Sequence, residues 1–234
     1  MRTRSGFDRE IQLLQDEILE MGSLVEKQIG RSIEALKTLD HEAARRVIEM
    51  DAEVDRMRFQ IEEHAIQLIA TQQPMASDLR TIVAALNVIV DMERMGDHAE
   101  GIAKITLMHS DQPLLKPLID IPRMGQISTS MLHRALDAFV ARDEAAARQV
   151  EDDDDEMDTL YDQVYRELLT YMLNDPRTID RATWLLWVAH NLERIADRAT
   201  NIAERVIFLT TGHMQESVAT GAGVHKHSAQ SAAG

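Results

Sequence analysis

Glu93-Arg94-Met95-Gly96-Asp97-His98-Ala99-Glu100-Gly101-Ile102-Ala103 is written again one hundred positions later as Glu193-Arg194-Ile195-Ala196-Asp197-Arg198-Ala199-Thr200-Asn201-Ile202-Ala203. Six of these eleven positions are identical. A second block repeats at an offset of 103: Asp40, Ala43, Ala44, Arg45, Val47, Asp51, Glu53 and Asp55 return as Asp143, Ala146, Ala147, Arg148, Val150, Asp154, Glu156 and Asp158. Met21-Gly22 returns as Met124-Gly125. The chain is a tandem duplication, and much of what survives in both copies is acidic. Core positions keep apolar character, so carboxylates held in register need a separate explanation.

Apolar residues recur at helical spacing in six long segments, 7–39, 41–71, 76–110, 118–142, 144–174 and 177–211, and no segment alternates with period two over the length of a strand. Asp40 and Asp143 stand at equivalent places before Ala-rich helix starts, where an Asp oxygen accepts from free backbone N–H groups. Gln73-Pro74 and Asp175-Pro176 mark the second turn of each unit, because a residue before proline avoids the helical region. Short connections make successive helices antiparallel neighbours. The expected fold is all-α, two tandem three-helix bundles related by duplication, with repeats at 1–112 and 113–211. The tail, 212–234, is rich in Gly, Ala, Ser and His and is expected to be disordered.

The chain has 234 residues and a formal net charge of -15. That charge argues against nucleic acid or an anionic membrane surface as a partner, and suits cations or basic surfaces. Cysteine is absent, which excludes disulfides, thiolate metal sites and a cysteine nucleophile. No run approaches the ~18 apolar residues of a membrane span, and no secretory leader is visible. The expectation is a cytoplasmic protein without membrane insertion. There is no glycine-rich phosphate loop and no G-x-S-x-G. The Glu-x-x-His pairs of di-iron bundles are missing as well. No catalytic residue and no organic cofactor are assigned, and the chain is expected not to be an enzyme.

Residues four apart share a helix face. Asp51 and Asp55, Glu93 and Asp97, Asp154 and Asp158, and Glu193 and Asp197 are such pairs. In each unit the pair on the second helix and the pair on the third stand at similar distances from the connecting turn, so antiparallel packing brings them to one height. Like charges at this spacing cost about 0.2–0.5 kcal/mol per exposed pair, and more when desolvated. Two things can offset that cost. Arg80, Arg94, Arg181 and Arg194 can form salt bridges. Alternatively the eight acids bind metal, and oxygen-only ligands favour hard or borderline ions such as magnesium, manganese, calcium or iron. Glu100, His190 and Asn201 are additional candidate ligands. Bare carboxylates repel phosphate, so phosphate binding here needs a bridging metal. In the run Glu151-Asp152-Asp153-Asp154-Asp155-Glu156, the face shared by Glu151, Asp154 and Asp158, with Asp155 or Asp162, is read as site and the remainder as solvent-facing. Four successive Asp carry a helix cost that a cation can relieve. Trp184 and Trp187 are expected to bury against the neighbouring bundle or a partner, and the methionines are read as core filler.

On these motifs the chain resembles the PhoU family over all but its tail. The duplicated acidic motif is Asp51-x-x-x-Asp55 and Glu93-x-x-x-Asp97, then Asp154-x-x-x-Asp158 and Glu193-x-x-x-Asp197. Gln73-Pro74-Met75-Ala76-Ser77-Asp78-Leu79-Arg80 looks like the family's second turn, and Asn201-Ile202-Ala203-Glu204 like the close of its third helix. Gly101 and Lys104 depart from that close in the first copy, which implies a weaker or differently coordinated first site that Glu100 compensates. The resemblance implies a non-enzymatic regulator of phosphate uptake and phosphate-starvation signalling. Its implied partners are the ATPase subunit of the phosphate ABC transporter and the phosphate sensor histidine kinase, and it represses the response when phosphate is plentiful. Iron or zinc clusters at the acidic motifs and a homodimer are also implied. The competing reading is a metal-dependent phosphoesterase or a metal store using the same carboxylates.

Overall fold

The computed structural model describes residues 4–109 and 112–213. Its helices are α1 (Arg4–Thr38), α2 (His41–Gln72), α3 (Ala76–Met108), α4 (Asp120–Ala141), α5 (Glu144–Asp152), α6 (Asp154–Asn174) and α7 (Ile179–Thr211), with a 3-10 turn at Pro176–Thr178. No strand occurs among the described residues. Of the tail, only Gly212 and His213 fall within the described residues.

The helix ends have the local causes that the sequence suggests. Asp40 accepts from the Ala43 N–H at 2.9 Å, and Asp143 from the Ala146 N–H at 3.0 Å. Each oxygen satisfies a backbone donor that the first helical turn leaves free. Gln73 adopts a left-handed conformation with φ 48° and ends α2 just before Pro74. Asp175 accepts from the Arg177 N–H at 3.1 Å and so closes the turn between α6 and α7.

One expected helix is two. The segment 144–174 breaks at Asp153, between α5 and α6. Asp153 is half-buried and pairs with Arg134 on α4, while Glu156 is exposed, as expected, and reaches Arg123 of α4 at 2.7 Å. The run of poor helix formers loosens into a single turn there: Asp153 keeps right-handed dihedrals, φ -75° and ψ -15°, and its carbonyl accepts from the Met157 N–H at 3.4 Å. The matching stretch of α2 has no such run and stays continuous.

α1, α2 and α3 form one bundle, and α4, α5/α6 and α7 the other. One large apolar cluster runs through both, because α1 packs on α4 and α3 packs on α7, and a small second one gathers Ala35, Ala44, Val47 and Ala103 in the first bundle. Both contacts are pseudo-symmetric. Gly22 on α1 faces Leu136 on α4, and Gly125 on α4 faces Ile33 on α1, and each pair is the other shifted by 103. α2 and α5/α6 flank this four-helix centre on opposite sides. Trp184 packs edge-on against His109 of the first bundle, with ring centroids 4.9 Å apart, whereas Trp187 is 47% exposed.

Candidate functional site

Each bundle holds an acidic cluster in the groove between its second and third helices. In the first, α2 supplies Asp51 and Asp55, and α3 supplies Glu93, Asp97 and Glu100. Their charges act on one another across the groove. Burial pushes the Asp51 carboxyl above its usual range, opposed by a hydrogen bond from Gln28, and Glu100, Asp97 and Asp55 push it further. Burial also raises Asp97, with Asp55 and Glu100 adding to it and His98 and Arg94 opposing. Glu93 is raised by burial and then by Asp97, with Asp55 a lesser contributor and Arg94 and Arg58 opposing.

The second cluster is more strongly perturbed. Asp154 is pushed up to about 6 by burial and by Asp158, Asp197 and Asp155. Glu193 is pushed up to about 7 by burial, Asp197, Asp158 and Asp154, against the opposing charge of Arg194. Asp158 is raised by burial and then by Asp197. The Glu193 Oε2 is buried without a hydrogen bond. The His190 Nδ1 stands 3.3 Å from it but outside bonding geometry. Burial lowers the His190 ring from its usual range, although more than half of the side chain is exposed.

The arginines offset part of this: Arg94 and Arg58 oppose the rise of Glu93, and Arg194 and Arg198 that of Asp197. Arg194 bonds Asp197 at 3.0 Å within one helical turn. Arg80 approaches Gly212, and Arg181 donates to the Pro113 carbonyl at 3.4 Å, so both belong to the helix ends. In the first cluster Arg58 pairs with Glu62 at 3.3 Å, and Lys104 meets Glu100 at 2.5 Å.

Asn201 serves the contact between the bundles. Its Nδ2 donates to Asp91 on α3 at 3.3 Å, beside Arg198 at 3.4 Å. Asp91 is nearly buried, and the desolvation raises its carboxyl despite those partners. The symmetry-related contact joins Asn191 on α7 to His98 on α3 at 3.0 Å. Gly101 lets Asn191 approach: a Cβ there would stand 3.2 Å from its Oδ1. The exchange of Gly101 for Asn201 between the copies is thus a feature of the α3–α7 contact. His98 is close enough to act on both Asp97 and Asp197, so the two clusters flank one interface.

The sequence reading missed Gln28. It is completely buried on α1, and its Nε2 donates to the Asp51 Oδ1 at 3.1 Å. Its signal is a polar residue on the apolar line Leu14, Ile18, Met21, Val25, Gln28, Ser32, Ala35, all of them buried.

Among the described residues, no three His, Asp or Glu side chains already form a coordination set. The donor chemistry still fits a cation: carboxylates crowded and desolvated, raised by their mutual repulsion, with an orphaned Glu193 oxygen. Uptake of an ion requires rotation of side chains that project from fixed helices.

The family model described as the PhoU domain matches twice, over residues 18–106 and 121–206. The chain is 42% identical over 211 residues to a phosphate-specific transport system accessory protein PhoU homolog of Caulobacter vibrioides, covering 90% of this chain and 92% of that protein. The corresponding Rhizobium meliloti protein is 39% identical over 209 residues, 89% of this chain and 88% of its own length. The crystal structure of PhoU from Pseudomonas aeruginosa superposes with a TM-score of 0.84 at 36% identity, covering 88% of this chain and all of the other. That of the phosphate transport system regulatory protein PhoU from Streptococcus pneumoniae gives 0.83 at 32%, covering 90% and 99%. Matched on both halves and nearly end to end, the chain belongs to the PhoU family.

Proposed function

We propose that this protein is a cytoplasmic, non-enzymatic regulator of a phosphate-specific transport system. It acts as an adaptor between the ATPase subunit of the transporter and the phosphate sensor histidine kinase, and holds the starvation response off when phosphate is plentiful. The observation that carries this reading is the near end-to-end similarity to relatives named as accessory proteins of that system. Two further observations agree with it. Among the described residues no helix is long and apolar enough to cross a membrane, and the net charge of -15 suits basic partner surfaces.

The two clusters are cation sites in this reading: Asp51, Asp55, Glu93 and Asp97, with Glu100, in one; Asp154, Asp158, Glu193 and Asp197, with His190, in the other. A bound cation would neutralise the crowded carboxylates and provide a positive centre to which phosphate or an acidic partner group can bind. The chain's own residues set the position and spacing of the donors. The molecule acts as a homodimer, with exposed Trp187 offering apolar contact area; light scattering at micromolar concentration should give twice the chain mass.

The decisive experiment is disruption of the gene in its host with a phosphate-starvation reporter read in phosphate-rich medium. The reporter should switch on, and a plasmid copy of this chain should silence it. A reporter that stays off after disruption overturns the regulatory reading. Hydrolysis of a phosphomonoester by the purified protein with added Mn²⁺ or Mg²⁺ would favour the phosphoesterase reading instead.

A further inference from the structure

Exposed apolar side chains need no explanation when they are scattered, but on this protein they are gathered. Of the thirteen large ones exposed among the described residues, six lie on α2, α3 and their turn: Phe59, Ile66, Met75, Leu79, Val83 and Val90. On α2, Phe59 and Ile66 follow Asp55 at four and eleven residues, a spacing that keeps all three on one stripe. On α3, Val83, Val90 and Asp97 follow Leu79 at four, eleven and eighteen, again on one stripe. The two helices run antiparallel, and Asp55 acts on Asp97 across their groove, so the stripes lie side by side. Each is apolar toward the turn and acidic at its far end, where Asp51 and Glu93 join it.

The second unit keeps the acids and gives up most of the apolar strip. Asp162, Thr183 and His190 stand where the first unit has Phe59, Val83 and Val90, and Ile66 and Leu79 alone keep apolar counterparts, in Leu169 and Ile179. Leu173 and Trp187 are exposed there, but at other positions. The strip is therefore a property of the first bundle, not a requirement of the fold. Its side chains are free to be covered: Phe59 is 60% and Ile66 55% exposed. Arg58 lies over the Phe59 ring at 4.7 Å and is itself tied to Glu62. At ~1.5 Å per residue, the strip from Leu79 to Asp97 is about 27 Å long, the length of a helix of about 18 residues.

We infer that this strip of the first bundle docks an amphipathic helix of a partner protein. The helix sets apolar side chains against Phe59, Ile66, Val83 and Val90, and brings lysine or arginine to the end marked by Asp55 and Asp97. A helix laid in such a groove buries its apolar face and leaves its polar face wet. Charge selects the occupant. Four carboxylates crowd the far end of the strip, and Arg94 is the cation that opposes them there, since Arg58 is taken by Glu62. Two copies of this chain paired strip to strip would set acids against acids, or acids against apolar side chains. A helix with a basic end meets both parts. This rests on the reading of the protein as an adaptor that engages protein partners.

The test is fluorescence anisotropy with the full chain, in buffer containing chelator at about 0.15 M salt. The probe is a labelled helical peptide of about 18 residues, with leucine along one face and lysine gathered at one end. Two controls accompany it, one with glutamate in place of lysine and one of the same composition scrambled to abolish the apolar face. The probe should bind, and both controls should bind at least about tenfold more weakly. Phe59→Ser and Ile66→Ser should each weaken the probe about tenfold or more, as loss of an interface anchor does. Leu169→Ser, at the counterpart of Ile66, should leave binding unchanged. All three positions are on the surface, so the three variants should melt with the wild type. No binding by the wild type, equal binding of the scrambled peptide, or wild-type affinity in both Phe59→Ser and Ile66→Ser overturns the docking strip. Light scattering in which those two variants fall from the mass of two chains to that of one assigns the strip to a second copy, and overturns it equally. The regulatory role is judged separately by the starvation reporter, whose response to gene disruption does not depend on the peptide.

Discussion

Gly125 on α4 gives up its side chain to Ile33 on α1: a methyl group added at Gly125 would overlap the Ile33 Cδ1. Gly22 on α1 receives Leu136 of α4 in the same way. These two contacts set how closely the halves approach, and they explain why Met21-Gly22 survives as Met124-Gly125.

Gly22→Ala and Gly125→Ala should therefore destabilise. Overpacking costs about 1–3 kcal/mol, and the ends of Leu and Ile chains yield somewhat, which points to the lower half of that range. For a chain of this size, ~1 kcal/mol moves Tm by about 2–4 °C. Gly30 on the same α1 has open space around its missing Cβ. There Ala should stabilise by about 0.5–1 kcal/mol through helix propensity. Urea denaturation of the three variants checks the contrast; equal losses at Gly22 and Gly30 would mean that the close approach carries no energetic weight.

Asp91 and Asn191 occupy equivalent positions and reach across the α3–α7 contact in opposite directions. Asp91→Asn makes the two halves alike and retains an acceptor for Asn201, so its cost should stay below ~1 kcal/mol. Asp91→Leu leaves the Asn201 amide and the Arg198 guanidinium without their acceptor. A lost buried partner costs about 1–3 kcal/mol, so a Tm several degrees lower than that of Asp91→Asn is expected in a calorimetric scan.

The acidic clusters make the metal-stripped protein sensitive to pH in a definite direction. Glu193 is raised from 4.5 to about 7, and Asp154 from 3.8 to about 6. The folded state thus binds these protons more tightly than the unfolded state does. Stability rises as pH falls through the folded values, from about 7 downward, and the gain is complete only below the unfolded values. One unit corresponds to about 1.4 kcal/mol, so even part of the Glu193 displacement is worth a few degrees. This contribution favours pH 5.5 over pH 8 and is opposed by His98, His109 and His190, which burial lowers; Glu193→Gln should therefore lower the melt at pH 5.5 relative to that at pH 8. Added Zn²⁺ should reverse the trend, since it binds the ionised forms.

Much of this molecule is written in local sequence, and the remainder is not, for physical reasons. Asp40, Asp143 and the Gln73-Pro74 turn act on their own backbone, so their effects are legible from neighbours alone. The offsets of 100 and 103 align the acidic pairs because both copies fold alike. The pairing of Asp153 depends on Arg134, which belongs to another helix. Asn201 reads as a ligand only through the resemblance of Asn201-Ile202-Ala203-Glu204 to the family's third-helix close; its Asp91 partner is far away in sequence. Gln28 stands in an apolar line without a local clue to what it faces, and only the packing of α1 under α2 and α3 shows it.

Replacement of one acidic pair separates the two explanations of the clusters. Arg194 is the arginine that reaches an acid of the second cluster directly, and it is bonded to Asp197 on its own helix with both side chains about one-third exposed. An ion pair so placed contributes about 0–1 kcal/mol. The repulsion and desolvation on Glu193 are larger and of opposite sign. Stripped Glu193→Gln/Asp197→Asn protein should therefore melt at or above the wild type at pH 7.5. Added Zn²⁺ should raise the wild-type melt and leave the double variant nearly unmoved, with elemental analysis showing less metal in the variant. If arginine pairing were the reason these acids persist, the stripped double variant would melt lower and neither protein would gain from metal. Equal melts with no metal in either protein would defeat both explanations and leave the acidic groove as a surface for a basic partner.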